Sequence, residues 1–234
     1  MDKKEFPQKE NSNILDKLKI GPEPSMGGAP KMAAFYHRAL GIVKFIIGIC
    51  LLPFVYSVSA AFLNEFNAVE KLFQNYFWAG VISFIIIYLF VYEPAIIYKK
   101  GQRLLEIVFK FFKPLVRVAP YLLPIYTIVI FIIYLIFPFA FKTKESVGYL
   151  IFLFSFSLTL HLIFGAKSVR SKQGDFLKAN YIFGFSFVYI LDLALLAFCL
   201  NIIFKEFSFV NFFNNSFQIG KNIVYAIFKQ LFLS

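Results

Sequence analysis

Groups able to do chemistry are scarce in this 234-residue chain. It has two cysteines and two histidines, and its 13 acidic residues face 24 Lys and Arg. Cys50 and Cys199 sit in separate apolar runs without a Cys-x-x-Cys spacing. That argues against a thiolate metal site and reads instead as two small buried apolar side chains. His37 and His161 have no further ligand-type residues clustered around them, so no metal site is expected. A phosphate-binding glycine loop, a dinucleotide fingerprint, a nucleophile elbow and a usable pair of carboxylates are all missing. No catalytic residue and no cofactor are therefore expected. A soluble basic domain is missing as well, so the net charge of +11 does not point to nucleic acid.

What the chain has in excess is apolar surface. Hydrophobic residues make up 59% of it and phenylalanine alone occurs 34 times. A soluble domain of that content has too few polar groups to cover itself, so lipid must serve as solvent. Five segments are long enough to cross about 30 Å of hydrocarbon as helices: roughly residues 39–63, 77–98, 118–141, 147–166 and 179–205. Turn residues do not recur at the spacing of ten-residue strands, which argues against a transmembrane barrel. The expected fold is an all-α integral membrane protein with about five transmembrane helices, a basic interfacial helix and a C-terminal amphipathic helix.

The connections alternate in charge. Lys31, His37 and Arg38 precede the first apolar run, and strongly basic stretches occupy 99–117 and 167–178. Threading five spans puts all three on one side. Under the positive-inside rule this predicts a cytoplasmic N-terminus and an outside C-terminus, and we expect a bacterial inner membrane. Residues 1–32 are polar and rich in Pro and Gly, and read as a disordered cytoplasmic tail with at most a short helix near Asn13–Ile20. Residues 33–205 form the membrane domain. Over 206–234, Phe213, Phe217, Val224, Ile227, Phe228 and Leu231 share one helical face, and Asn215, Gln218, Lys221, Asn222 and Lys229 another. That is an amphipathic helix, read as an anchor in the outer interface, a partner-binding helix or a sixth tilted span.

The stretch 98–114, YKKGQRLLEIVFKFFKP, separates two apolar runs. Lys99, Arg103, Glu106, Lys110, Lys113 and Arg117 recur at intervals of 4, 3, 4, 3 and 4, which gathers them into an arc of about 80° on a helix. Glu106 has Arg103 three residues before it and Lys110 four after, so it is expected to be compensated locally. Pro114 has no N–H for the carbonyl of Lys110 and should end the helix. This predicts a basic helix on the cytoplasmic leaflet that contacts anionic lipid or the acidic face of another membrane subunit.

Four ionisable groups lie within the apolar runs: Lys44, Glu93, His161 and Asp192. Such groups are costly in a bilayer and mark candidate sites. Counted from the ends of the runs, His161 lies about 9 Å in and Asp192 about 20 Å in. A Glu93–His161 contact is therefore expected, and Asp192 is left to face a backbone donor, a water cavity or another subunit. Lys44 is close enough to the cytoplasmic end of its run to snorkel out.

The order of a span, Gly101-Gln-Arg-Leu-Leu-Glu106, APYLLPIYT (119–127), a span, Leu160-His-Leu162 and Gln173-Gly-Asp175 resembles the site-2-protease-like membrane metallopeptidases over roughly 85–200. The resemblance implies a helix carrying a His-Glu-x-x-His zinc motif. Gln102 stands where the family has its first zinc histidine, Arg103 at the catalytic glutamate and Glu106 at the second histidine. An amide is a poor zinc ligand, and a guanidinium cannot deprotonate metal-bound water. The expected function is a non-catalytic subunit or scaffold of a larger membrane assembly, a protease relative that has lost its metal. The alternatives are a transporter or channel subunit using the intramembrane polar residues, and a surviving membrane metalloprotease.

Overall fold

The computed structural model describes residues 29–91, 94–112, 119–171 and 181–232. The tail segment 1–28, Glu93, Lys113, Arg117 and the basic stretch 172–178 lie outside the described residues. In chain order the helices are α1 (Ala29–Phe66), α2 (Lys71–Ile86), α3 (Ala95–Val108), α4 (Ile125–Ile136), α5 (Lys144–Ser171), α6 (Tyr181–Ile203) and α7 (Phe209–Phe232). No strand occurs among the described residues. Four segments are long and apolar enough to cross a membrane: Ala39–Phe66, Lys71–Val91, Lys144–Ser168 and Tyr181–Ile203. The chain is an all-α integral membrane protein. It divides into two units. Of the first, Met1–Leu40, the described part is the start of α1. The second, Gly41–Ser234, contains all the packing discussed below.

Prolines set the helix ends. The second span starts at Lys71, and α2 continues as a π turn over Ile87–Val91. Pro94 then stands at the N-cap of α3. The third expected span is shorter than its apolar run. α4 has 12 residues, about 18 Å of helix. Pro124 stands at its start and Pro138 opens a 3-10 turn after it. Proline removes a backbone donor and disfavours helix at the residue before it, so the apolar run 118–141 cannot be one helix. α3 stops at Val108, short of the expected end near Lys113, and Phe109 to Phe111 form a turn.

The main core joins Phe62 and Phe66 of α1, Phe77 of α2, Phe154 of α5, Leu196 of α6 and Phe207. The rings of Phe66 and Phe77 lie 4.9 Å apart, and those of Phe62 and Phe207 5.8 Å apart. Hydroxyls tie helices across the core: Ser59 to Tyr189 at 2.8 Å and Thr127 to Ser157 at 2.8 Å. Two helices approach closely at Gly80. A Cβ there would collide with Ser155 Oγ and the backbone carbonyl of Phe152. Small residues let helix backbones meet in lipid, where dispersion and polar contacts replace the hydrophobic drive. Lys44, expected to snorkel outward, is buried.

α7 does not lie apart in an interface. Ser208 N–H donates to Glu65 Oε2 at 3.4 Å, and Asn215 Nδ2 donates to Glu65 Oε1 at 3.3 Å. A Cβ on Gly220 would meet the Phe54 ring at 3.0 Å and Ser57 Oγ at 3.2 Å. The helix therefore starts beside the end of α1 and runs back along it. Its packed face is Phe212, Ser216 and Gly220, all buried. Phe213 and Phe217 of the expected apolar face are 62% and 56% exposed. Lipid accepts those rings as readily as protein does, so the close fit of Ser216 and Gly220 decides which face packs.

Replacing Gly80 by alanine is expected to loosen the α2–α5 contact. Overpacking of this kind costs about 1–3 kcal/mol and exceeds the gain from replacing a helical glycine. Thermal unfolding in detergent checks it, and an unchanged or raised Tm would show that the two helices separate freely.

Candidate functional site

Two ionisable groups of the membrane interior, His161 and Asp192, meet at one place. His161 on α5 and Asp192 on α6 are 4% and 0% exposed. Nε2 of His161 lies 3.6 Å from Oδ2 of Asp192. This corrects the expected separation of the two residues. The apolar run around His161 ends at Lys167, but α5 continues through Ser171, and α6 is described from Tyr181. Counted from Ser171 and Tyr181, His161 is about 15 Å along α5 and Asp192 about 17 Å along α6, so they reach the same level. The signal in the sequence was the absence of a helix breaker between Lys167 and Gly174. The expected partner of His161, Glu93, lies outside the described residues.

The second ring nitrogen of His161 donates to the backbone carbonyl of Tyr121. That bond fixes the Nδ1–H tautomer and turns the Nε2 lone pair toward Asp192. At 3.6 Å the contact is too long for a hydrogen bond. Neither Asp192 oxygen nor His161 Nε2 has a hydrogen-bond partner among the described residues.

Tyr98 closes the site from α3. It is buried, its ring centroid lies 6.0 Å from that of His161, and it stacks on Phe164 at 5.5 Å. Its hydroxyl faces Ser168 and Gln102 without a hydrogen-bond partner among the described residues. A cavity of about 10 Å³ lies against Tyr98, Gln102, Pro120, Tyr126 and His161, which is close to the space one water needs. Sequence reasoning missed Tyr98 and Tyr121, because an aromatic residue at the end of an apolar run carries no distinguishing mark.

Gln102, Arg103 and Glu106 lie in two different environments. Gln102 turns inward and its Nε2 donates to the carbonyl of Pro120 at 3.4 Å. Arg103 and Glu106 are exposed, as are Lys99 and Lys110. The expected compensation of Glu106 does not form. Lys110 lies past the end of α3, and no ion pair joins Glu106 to Arg103 or Lys110 among the described residues. α3 has three sides. Tyr98, Gly101 and Leu105 are buried, the charged residues form a second edge, and Ile96, Leu104, Ile107 and Phe111 are exposed apolar groups. No group of three His, Cys, Asp or Glu side chains able to hold a metal occurs among the described residues.

Removing one member of the buried pair leaves the other facing apolar packing alone, and an unmatched buried polar group costs about 1–3 kcal/mol. His161→Leu and Asp192→Leu should each destabilise strongly, and the double variant by clearly less than their sum. A double-mutant cycle on unfolding in detergent reads the coupling, and strict additivity would show that the two side chains do not sense each other. No protein-family model matches the chain, and no curated protein or solved structure matches it either.

Proposed function

We propose that this chain is a non-catalytic integral membrane subunit of a larger membrane assembly. One observation carries the reading: α7 packs along α1 while leaving Asn214, Gln218, Lys221 and Asn222 exposed. Amides and a cation at that depth are expensive against lipid, and they call for a protein neighbour. In this reading His161 and Asp192 lock α5 to α6. Lys99, Arg103 and Lys110 rest on anionic headgroups of the cytoplasmic leaflet. The N-terminus is cytoplasmic, α7 begins at the outer side, and the membrane is a bacterial inner membrane. The likeness to site-2-type proteases is read as descent with loss of the zinc motif. The chemistry behind that is the amide of Gln102, the guanidinium of Arg103 and the outward aim of Glu106.

A second reading is a transporter or channel subunit that exchanges the proton of the His161–Asp192 pair. The water-sized cavity against His161 favours it. In that case Asp192→Asn abolishes flux and leaves assembly intact. In an assembly subunit the same change loosens the complex or does little.

Gentle detergent extraction, native-gel sizing and mass spectrometry test the main reading. The chain is expected to migrate well above its own 27.1 kDa, with fixed neighbours, and migration as a single chain plus detergent would refute it. Elemental analysis checks the line of descent: the purified protein should lack stoichiometric zinc, and about one zinc per chain would restore the metalloprotease reading.

A further inference from the structure

The polar side of α7 is ordered. Asn211, Asn215, Gln218, Asn222, Tyr225 and Lys229 are all exposed and recur at intervals of 4, 3, 4, 3 and 4. On a helix they fall within an arc of about 80° and form a seam with the period of a coiled coil. Asn215 touches Glu65, near the end of α1, so the seam starts at the bilayer surface. Gly220 sits against Phe54 and Ser57, about 12–16 Å further along α1. Gln218 and Asn222 flank that level and therefore lie within the hydrocarbon. Neither side chain is engaged by any described residue.

The chemistry of the seam selects its partner. Asn and Gln each carry a donor and an acceptor on one amide, so a row of them is complementary to itself. Two copies related by a twofold axis along the membrane normal bring the same positions face to face. Residues 209–232 contain no acid, so the seam has nothing to pair with a cation of another chain. The one cation at mid-depth, Lys221, turns aside. It lines the groove between α1 and α7 with Ile49, Cys50 and Pro53. Lys229 belongs to the far end of α7, some 16 Å beyond Gln218. Tyr225 lines the same groove, so short of Lys229 the mid-depth seam is the amides of Gln218 and Asn222.

We propose that α7 is a self-association helix, and that its amide seam at Asn215, Gln218 and Asn222 pairs with the same seam of a second copy of this chain inside the membrane. The proposal rests on the reading of the chain as an assembly subunit and names the partner.

Cysteine cross-linking in native membranes tests it, with single cysteines placed on exposed positions of the full chain. Cys50 is replaced by alanine (Cys50→Ala), and Cys199 is buried. Gln218→Cys and Asn222→Cys are expected to give a disulfide-linked species at twice 27.1 kDa, since facing seam positions bring Cα atoms within about 7 Å. Phe213→Cys and Phe217→Cys, on the apolar side, should stay monomeric. Replacing the neighbouring seam amides, for example Asn215→Leu and Asn222→Leu with Gln218→Cys as reporter, should abolish the dimer band. Three results would overturn the proposal. One is equal cross-linking from both sides of α7. Another is cross-linking only to species of other mass, which refutes the second copy and leaves the assembly reading standing. The third is free reaction of the seam cysteines with a membrane-impermeant maleimide, which would mean the face lines water.

Discussion

Lipid is as apolar as leucine, so inside a bilayer apolar side chains do not select their neighbours. This constraint accounts for most of the packing. In water, the broad apolar side of α7 would have turned inward. Here Phe213 and Phe217 stay exposed while Ser216 and Gly220 make the contact with α1. Gly80 does the same work between α2 and α5. Where backbones cannot approach, paired hydroxyls hold the helices: Ser59 with Tyr189 and Thr127 with Ser157. The many phenylalanines fill the remaining space without deciding the arrangement.

The same solvent makes polar groups decisive. His161 and Asp192 face each other across the contact of α5 with α6. The tautomer of His161 is set by a carbonyl that the Pro120–Pro124 break brings to the ring. Breaking the apolar run there ends helix formation, frees backbone acceptors near the bilayer interior, and lets α3 bring Tyr98 and Gln102 against the same cavity. The proline segment thus connects the basic helix to the buried pair. Gln102 is oriented by that segment through the Pro120 carbonyl. Arg103 and Glu106 point away from it. The three positions do not act as a unit.

α3 and α7 place their polar residues under different conditions. On α3 the cations occupy an exposed edge beside exposed Ile and Phe side chains, which suits a headgroup layer where both are welcome. On α7 the amides sit at the level of Phe54 and Ser57, where lipid offers them no partner. Similar amphipathic patterns thus carry different meanings, and the neighbouring helix supplies the difference.

The helical membrane architecture was legible in the sequence, because long apolar runs between charged connections have few physical solutions. So was the amphipathic character of α3 and α7, which periodicity alone carries. The shortening of α4 was partly legible in Pro124 and Pro138, although the apolar run hid it. The pairing of His161 with Asp192 was not, since relative depth depends on how far α5 and α6 extend, and the charges at Lys167 and Arg170 end an apolar run without ending a helix. The packed face of α7 could not be read from hydrophobicity, because that scale does not rank faces in lipid. By itself the sequence determined the solvent, the helices and the scarcity of catalytic groups, all of which follow from local composition and period. Only the tertiary structure decided which polar groups meet and which face stays unpartnered, because those depend on helix register and on how closely two backbones can approach.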